Sequence, residues 1–258
     1  QELTQVTFAS GIKAIDCMYM FNACNNLESV TIPAGVTKLG LGLFSNSGVK
    51  NIVIPAGVTA LPDYLFSSCS LLESVSLPST VESIGVAAFN GCKSLSSLTI
   101  PNGVTTIGDR AFAGCSNLAN IAIPSSLTTI KSDVFYMTKV EEVTLPASVT
   151  TLGDVFKLSR VETVTILSEV PPTFEGDTDD PFYFGESCMV VRVPYGSASA
   201  YVADPVFSKA ESIIEFGGTA IKSTIDRSAN KALKVVENGK VVIIRDGEKY
   251  DLGGARLK

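Results

Sequence analysis

The feature that most constrains this chain is a motif that returns every 21 to 24 residues. One copy is Leu98 to Leu118, LTIPNGVTTIGDRAFAGCSNL. Aligned on the residue that closes each apolar strand, the copies stand at Ala9, Pro33, Pro55, Pro78, Pro101, Pro124, Pro146 and Leu167. The steps are 24, 22, 23, 23, 23, 22 and 21. A fixed period of this size is the mark of a leucine-rich solenoid, in which each copy is one coil.

Within a copy, an apolar residue (Leu27, Val49, Leu95) is followed three positions later by a second (Val30, Ile52, Leu98) and two further on by a third (Ile32, Ile54, Ile100). The spacing of two is strand periodicity, and the residues are mostly β-branched, which suits a pleated surface. Proline then fixes φ and withholds a donor, so it makes a corner. A second apolar pair follows, spaced by three, as in Val36 with Leu39 and Val104 with Ile107. Gly40, Gly85, Gly108 and Gly153 come next and are expected to bend the chain through positive φ.

An aromatic column comes after the bend: Phe21, Phe44, Phe66, Phe89, Phe112, Phe135 and Phe156. Three residues beyond each stands a small residue: Cys24, Ser47, Cys69, Cys92, Cys115, Thr138 or Ser159. A chain that returns on itself has a crowded inner corner, so this column predicts a slot limited by size. Four of the six cysteines, Cys24, Cys69, Cys92 and Cys115, stand in this column; Cys17 and Cys188 complete the set, which contains no CxxC. Buried thiols, a disulfide framework and a metal site are the three readings of such a set. Ser and Thr at three levels of the slot favour the first.

A lone coil cannot offset the entropy of ordering its own residues, so coils must stack and cover one another's apolar ends. About eight coils at the strand spacing of about 4.8 Å make a rod about 40 Å long. The stretch around each Phe is too short and too rich in Gly and Ser for a full helix. Turns, or single helical turns, are expected on that convex side. The predicted fold is mainly β: a right-handed leucine-rich repeat solenoid of about eight coils of 21–24 residues, plus a small C-terminal β-meander.

The pattern L-x-x-[IV]-x-[IL]-P-x-x-[VL]-x-x-[IL]-x-x-x-x-F-x-x-[CST] resembles the BspA-like leucine-rich repeats of bacterial cell-surface proteins, over about residues 1–167. It differs from the commoner leucine-rich pattern by its proline after the strand and its lack of an Asn ladder. The resemblance therefore does not imply a long-helix horseshoe. It does imply an exported, non-catalytic protein, extracellular or on the outer cell surface, that binds a partner on its strand face.

From Ser168 the period fails. The acidic stretch at 175–180, from Glu175 to Asp180, is expected to be a loop, with a calcium site as the weaker alternative because the remaining ligands of a calcium loop are missing. Val190 to Pro194 could resume one irregular coil. Ser197 to Val202 is expected to be a short helix with Ser197 or Ser199 as its cap. Tyr201, Phe207, Ile213, Ile214 and Phe216 could then lie over the open end. The stretch VPYGSASAYVADPVFSK resembles the segment that closes solenoids of this family. The expected domains are a solenoid with its cap at 1–216, a linker at 217–231 and the meander at 232–258. Asn238-Gly239 and Asp246-Gly247 are two-residue hairpin signals that predict three strands. The tail also resembles C-terminal segments of proteins exported by Gram-negative anaerobes, some of which act in secretion or attachment.

Function classes narrow by composition. The net charge is −6, and the 20 Lys and Arg are scattered singly, so nucleic acid is not an expected partner. No apolar run approaches the length of a transmembrane helix. The first residue is Gln1 and no export signal precedes it, so a trimmed leader is expected. The chain has no His, which removes the usual general base and the commonest metal ligand. Glu141 and Glu142 are adjacent, and strand neighbours point to opposite faces, so they do not predict an acid–base pair. No enzyme activity and no cofactor is expected.

Outward positions form ladders. One is Thr7, Thr31, Val53, Ser76, Thr99, Ala122, Thr144 and Thr165; a second is Lys13, Thr37, Thr59, Glu82, Thr105, Thr128 and Thr150. A third is Glu28, Lys50, Glu73, Ser96, Ala119, Glu141 and Glu162. Threonine ladders have a plain structural explanation, because Thr is a good strand former. The functional expectation is a flat, nearly uncharged face that docks a host or matrix protein, or a glycan. Its candidate residues are Thr31, Val53, Ser76, Thr99, Ala122, Thr144, Thr105 and Thr128. A monomer is expected. The alternative is a structural spacer or attachment module with no ligand on the repeats.

Overall fold

A computed structural model describes residues 3–156, 158–176, 189–217, 232–237, 240–245, 248–250 and 255–256. The repeats build a parallel β-solenoid with almost no helix. Each coil has three sides: a strand that leads into the proline, a two-residue strand after it, and a run of turns that carries the phenylalanine. The first side holds the strands Gln5–Val6, Ser29–Val30, Asn51–Val53, Ser74–Ser76, Ser97–Leu98, Asn120–Ile121, Glu142–Leu145 and Thr163–Ile166. They pair in parallel and in register within three successive sheets, Gln5–Val6 to Ser74–Ser76, Ser97–Leu98 with Asn120–Ile121, and Glu142–Leu145 onward, as in Ile52 with Val75 and Val143 with Val164. The second side runs from Ala14–Ile15 to Thr173–Phe174.

The corner between the two sides is a β-turn that begins at the proline. The amides of Val36, Val58, Val81, Val104, Leu127 and Val149 donate to the carbonyls of Pro33, Pro55, Pro78, Pro101, Pro124 and Pro146 at 3.0–3.2 Å. Proline suits this place twice. It needs no donor there, and it holds the preceding residue extended, as the strand requires.

The turn side has an unexpected order. The amides of Ala87, Phe89 and Gly91 donate forward to Asp109, Ala111 and Ala113 of the next coil, at 2.7–2.9 Å. The intervening amides of Ala88, Asn90 and Cys92 donate back three residues within their own coil. The same alternation holds around Phe44, Phe66 and Phe112. The residues two before and two after each Phe stand at positive φ, Asp154 before Phe156 excepted, and ten of these are not glycine, among them Tyr64 (58°), Arg110 (58°) and Met137 (54°). Each costs on the order of 1 kcal/mol, which the inter-coil hydrogen bonds must offset.

The expected bend glycines act differently from their prediction. Positive φ is found at Gly42, Gly91 and Gly114, whereas Gly40, Gly85, Gly108 and Gly153 lack it. Close approach explains the latter group: a Cβ on Gly108 would stand 2.5 Å from the Val86 nitrogen, and one on Gly40 2.3 Å from the Cys17 oxygen.

The core lies between the three sides and follows the predicted columns. All seven phenylalanines from Phe21 to Phe156 are buried and stacked, with successive centroids 5.4–6.2 Å apart. The slot beyond them is buried from Ser47 to Ser159 and half-buried at Cys24. Size is not its only rule. The thiols of Cys69, Cys92 and Cys115 donate to the carbonyls of Phe44, Phe66 and Phe89 in the coil before, at 2.8, 3.1 and 3.0 Å. The Thr138 hydroxyl donates to Phe135 in its own coil at 2.9 Å. The slot therefore takes small residues that carry a donor, and Ala, which would fit, is absent from it. The described cysteines are free thiols, not a disulfide framework; Cys188 lies outside the described residues.

The coil count exceeds the predicted eight and reaches about nine, because order continues past Ser168. Thr173–Phe174 adds a rung to the second side, and Val190–Pro194 and Ser212–Phe216 add two parallel rungs to the first. The helix Ala198–Ala203 and the short turn Phe207–Lys209 close the end. Tyr201, Phe207 and Ile213 are buried there, while Ile214 and Phe216 are half-buried. Ser197 stands at the cap position, but its hydroxyl donates to the Pro194 carbonyl. The Ala198 amide is instead met by the Glu215 carboxylate at 2.9 Å.

In the tail, Ala232–Glu237, Lys240–Arg245 and Glu248–Tyr250 form an antiparallel sheet in the predicted hairpin registers, Glu237 opposite Lys240 and Arg245 opposite Glu248. The turn dipeptides, Asp177 to Asp180 of the acidic loop and most of the expected linker lie outside the described residues.

Two outcomes test this core. Phe112→Ala should lose about 3–5 kcal/mol of stability in urea unfolding, as buried phenylalanines do; a near-neutral result would mean the column is misplaced. Burial raises the pKa of Cys69 and Cys92, the latter well above its ordinary value and reinforced by Cys115. A raised folded pKa means stability is intact below the unfolded value of about 8.5 and falls as pH climbs past it. Thermal melts should be flat up to about pH 8 and decline above, and Cys69→Ser with Cys92→Ser should flatten that decline.

Candidate interaction face

Strand alternation turns every second residue of the first side outward. Thr31, Val53, Ser76, Thr99, Ala122 and Thr144 are all exposed in one column along it. Thr165 and Arg192 continue the column in register. Thr105 and Thr128 are exposed too, but they stand beyond the proline corner, beside the second sheet. The eight candidates thus fall on two sides of the coil, six and two.

The two sides differ chemically. On the second side, the hydroxyls of Thr37, Thr105 and Thr150 donate to the carbonyls of Lys13, Glu82 and Thr128, at 3.3–3.4 Å. These threonines tie successive coils together. On the first side, the hydroxyls of Thr31, Thr99 and Thr144 have no hydrogen-bond partner among the described residues. Their polar atoms remain free for a ligand.

A second outward column accompanies the first and was not singled out in the sequence: Ser29, Asn51, Ser74, Ser97 and Asn120, then Glu142. Its signal was the alternation itself, two positions before the threonine column. Ser74 donates to the Asn51 side chain across the coil interface. From Ser29 to Ala122 the two columns contain no charge, and Val53, 65% exposed, is their one large apolar side chain. Charge enters only at the edges. Lys50 pairs with Glu28 at 3.1 Å, and Glu141, Glu142 and Glu162 make the far end acidic. Glu141 precedes its strand, so it is exposed beside Glu142 and does not oppose it.

The sequence comparison agrees with the coil geometry. The BspA type leucine rich repeat region matches residues 1–93 and 68–172, in six copies. The chain belongs to the BspA-type leucine-rich repeat family. A leucine-rich repeat protein from Bacteroides ovatus is 28% identical, with a TM-score of 0.66 over 72% of this chain. The match spans about half of that protein, 48% of its length. The Treponema pallidum leucine-rich repeat protein is 21% identical over 68% of this chain and 74% of its own, with a TM-score of 0.49. A leucine-rich cell surface protein from Faecalibacterium prausnitzii is 20% identical over 78% of this chain and 76% of its own, with a TM-score of 0.38. No curated protein sequence matches the chain. The BspA-type fold is a repeat scaffold, and no described helix is long and apolar enough to cross a membrane.

Proposed function

We propose that this BspA-type solenoid is an exported protein of the bacterial cell surface that binds a host or matrix protein on its first strand side. The observation that carries the proposal is the uncharged double column from Ser29 to Ala122 with its unpaired threonine hydroxyls. A face of this kind presents hydrogen-bonding groups without costly charge desolvation, and Val53, on the second of its five rungs, supplies an apolar anchor. Thr105, whose hydroxyl donates to the Glu82 carbonyl, and Thr128, whose carbonyl accepts the Thr150 hydroxyl, are assigned to coil stacking. No catalytic step is ascribed to the solenoid.

A second reading assigns the tail rather than the face. The strands from Ala232 to Tyr250 form a sheet of their own, which suits a surface-attachment element joined by a linker at 217–231. Under that reading the rod is a spacer.

Binding of the intact chain to a panel of purified host and matrix proteins separates the two. Thr99→Arg and Thr144→Arg should each weaken capture of the bound protein about tenfold, or about 1.4 kcal/mol, with the melting temperature unchanged. Unchanged capture would refute the face. Removal of residues 219–258 should leave capture intact; a loss of cell retention on that removal, with no protein bound by the repeats, would favour the spacer.

A further inference from the structure

The corner between the turn side and the first strand varies in length. In the coil of Phe112, two residues, Ser116 and Asn117, separate the slot residue Cys115 from the strand residue Leu118. In the next two coils only one residue does so: Lys139 between Thr138 and Val140, and Arg160 between Ser159 and Val161. These two copies are 22 and 21 residues long. The longer corner closes as a turn, with the Leu118 amide donating to Cys115 at 2.9 Å, and the Lys139 amide bonds back to the Leu118 carbonyl at 3.0 Å. A hollow of about 400 Å³ opens at this step. Ser116 and Asn117 line one part, Lys139 and Arg160 another, and the exposed side chains of Met137 and Leu158 a third.

Two features set this hollow apart. Its cations come from equivalent positions of adjacent coils, so they are neighbours in space although 21 residues apart in sequence. Neither forms an ion pair among the described residues, where Lys38, Lys50 and Arg110 each do. The comparable hollow beside Tyr64 differs in this respect, because its Arg110 is already held by Asp133 at 3.1 Å.

We propose that the corner hollow binds the terminal hexuronic acid of an acidic saccharide. The carboxylate would meet Lys139 and Arg160, a geometry in which a charge-assisted hydrogen bond is strong. The ring hydroxyls would meet Asn117 and Ser116, and the apolar face of the ring would rest on Met137 and Leu158. A single charge fits better than a polyanion. Glu141 and Glu162 are exposed two residues beyond each cation, and the chain carries −6 overall, so a long anionic polymer would be repelled. A peptide fits less well. The amides of Ser116, Thr138 and Lys139 are already bonded to Gly114, Phe135 and Leu118, which leaves no ladder at these positions for a peptide backbone.

The test titrates the full chain, labelled at its methionine methyls, with methyl glucuronide, methyl glucoside and N-acetylglutamate amide. The glucuronide should move the Met137 methyl saturably, with a dissociation constant on the order of 1 mM, as expected for one sugar ring. The neutral glucoside should bind at least tenfold more weakly, and Lys139→Gln with Arg160→Gln should weaken the glucuronide at least tenfold without altering the melting temperature. Equal binding of glucoside and glucuronide would overturn the carboxylate assignment. Equal binding of the glutamate probe would overturn the saccharide, and no saturable shift with the glucuronide would overturn the site.

Discussion

Every other feature of this protein rests on the hydrogen bonds that pass from coil to coil. They run on all three sides, including the turn side, where a chain of this composition has no helix or strand to supply its own. A coil of 21 to 24 residues contains too few local bonds to hold ten left-handed non-glycine residues across the rod. Those residues are tolerated because the forward donors around each Phe, such as Ala87 and Phe89, find carbonyls in the next coil. Local conformation is thus a product of stacking, which is the one-dimensional cooperativity expected of repeat proteins.

That dependence explains which parts were legible in the sequence. Proline, phenylalanine and the small slot recur with the period, so the corner, the stack and the inner column could be placed from spacing alone. The donor role of Cys69, Cys92 and Cys115 could not, because their acceptors belong to the coil before. The same holds for Gly108, whose constraint is the Val86 backbone beneath it and not its own φ. Thr173–Phe174 and Val190–Pro194 join the ladders although the motif has lapsed, since a strand needs only an edge of matching register to pair with.

Stacking also converts sequence into surface. A residue repeated at one level becomes a column, so the first side inherits its neutrality from Ser, Asn and Thr at two positions of each copy. The candidate list from the sequence joined Thr99 and Thr105, which the proline corner assigns to different sides. Lys139 and Arg160 show the converse. They are single charges in the sequence, and only the coil brings them together. A short corner there alters the contour of the rod without altering its core, since Phe135 and Phe156 remain in the stack at 6.2 Å.

Amide hydrogen exchange tests this dependence most directly. The amides of Ala87 and Phe89 on the turn side should exchange as slowly as those of Gly85 and Gly108, which bond across the coil interface to Leu61 and Ile84. Exchange of Ala87 and Phe89 orders of magnitude faster than that of Gly85 and Gly108 would contradict it. The turn side would then be a loose return of the chain, held by the phenylalanine stack alone.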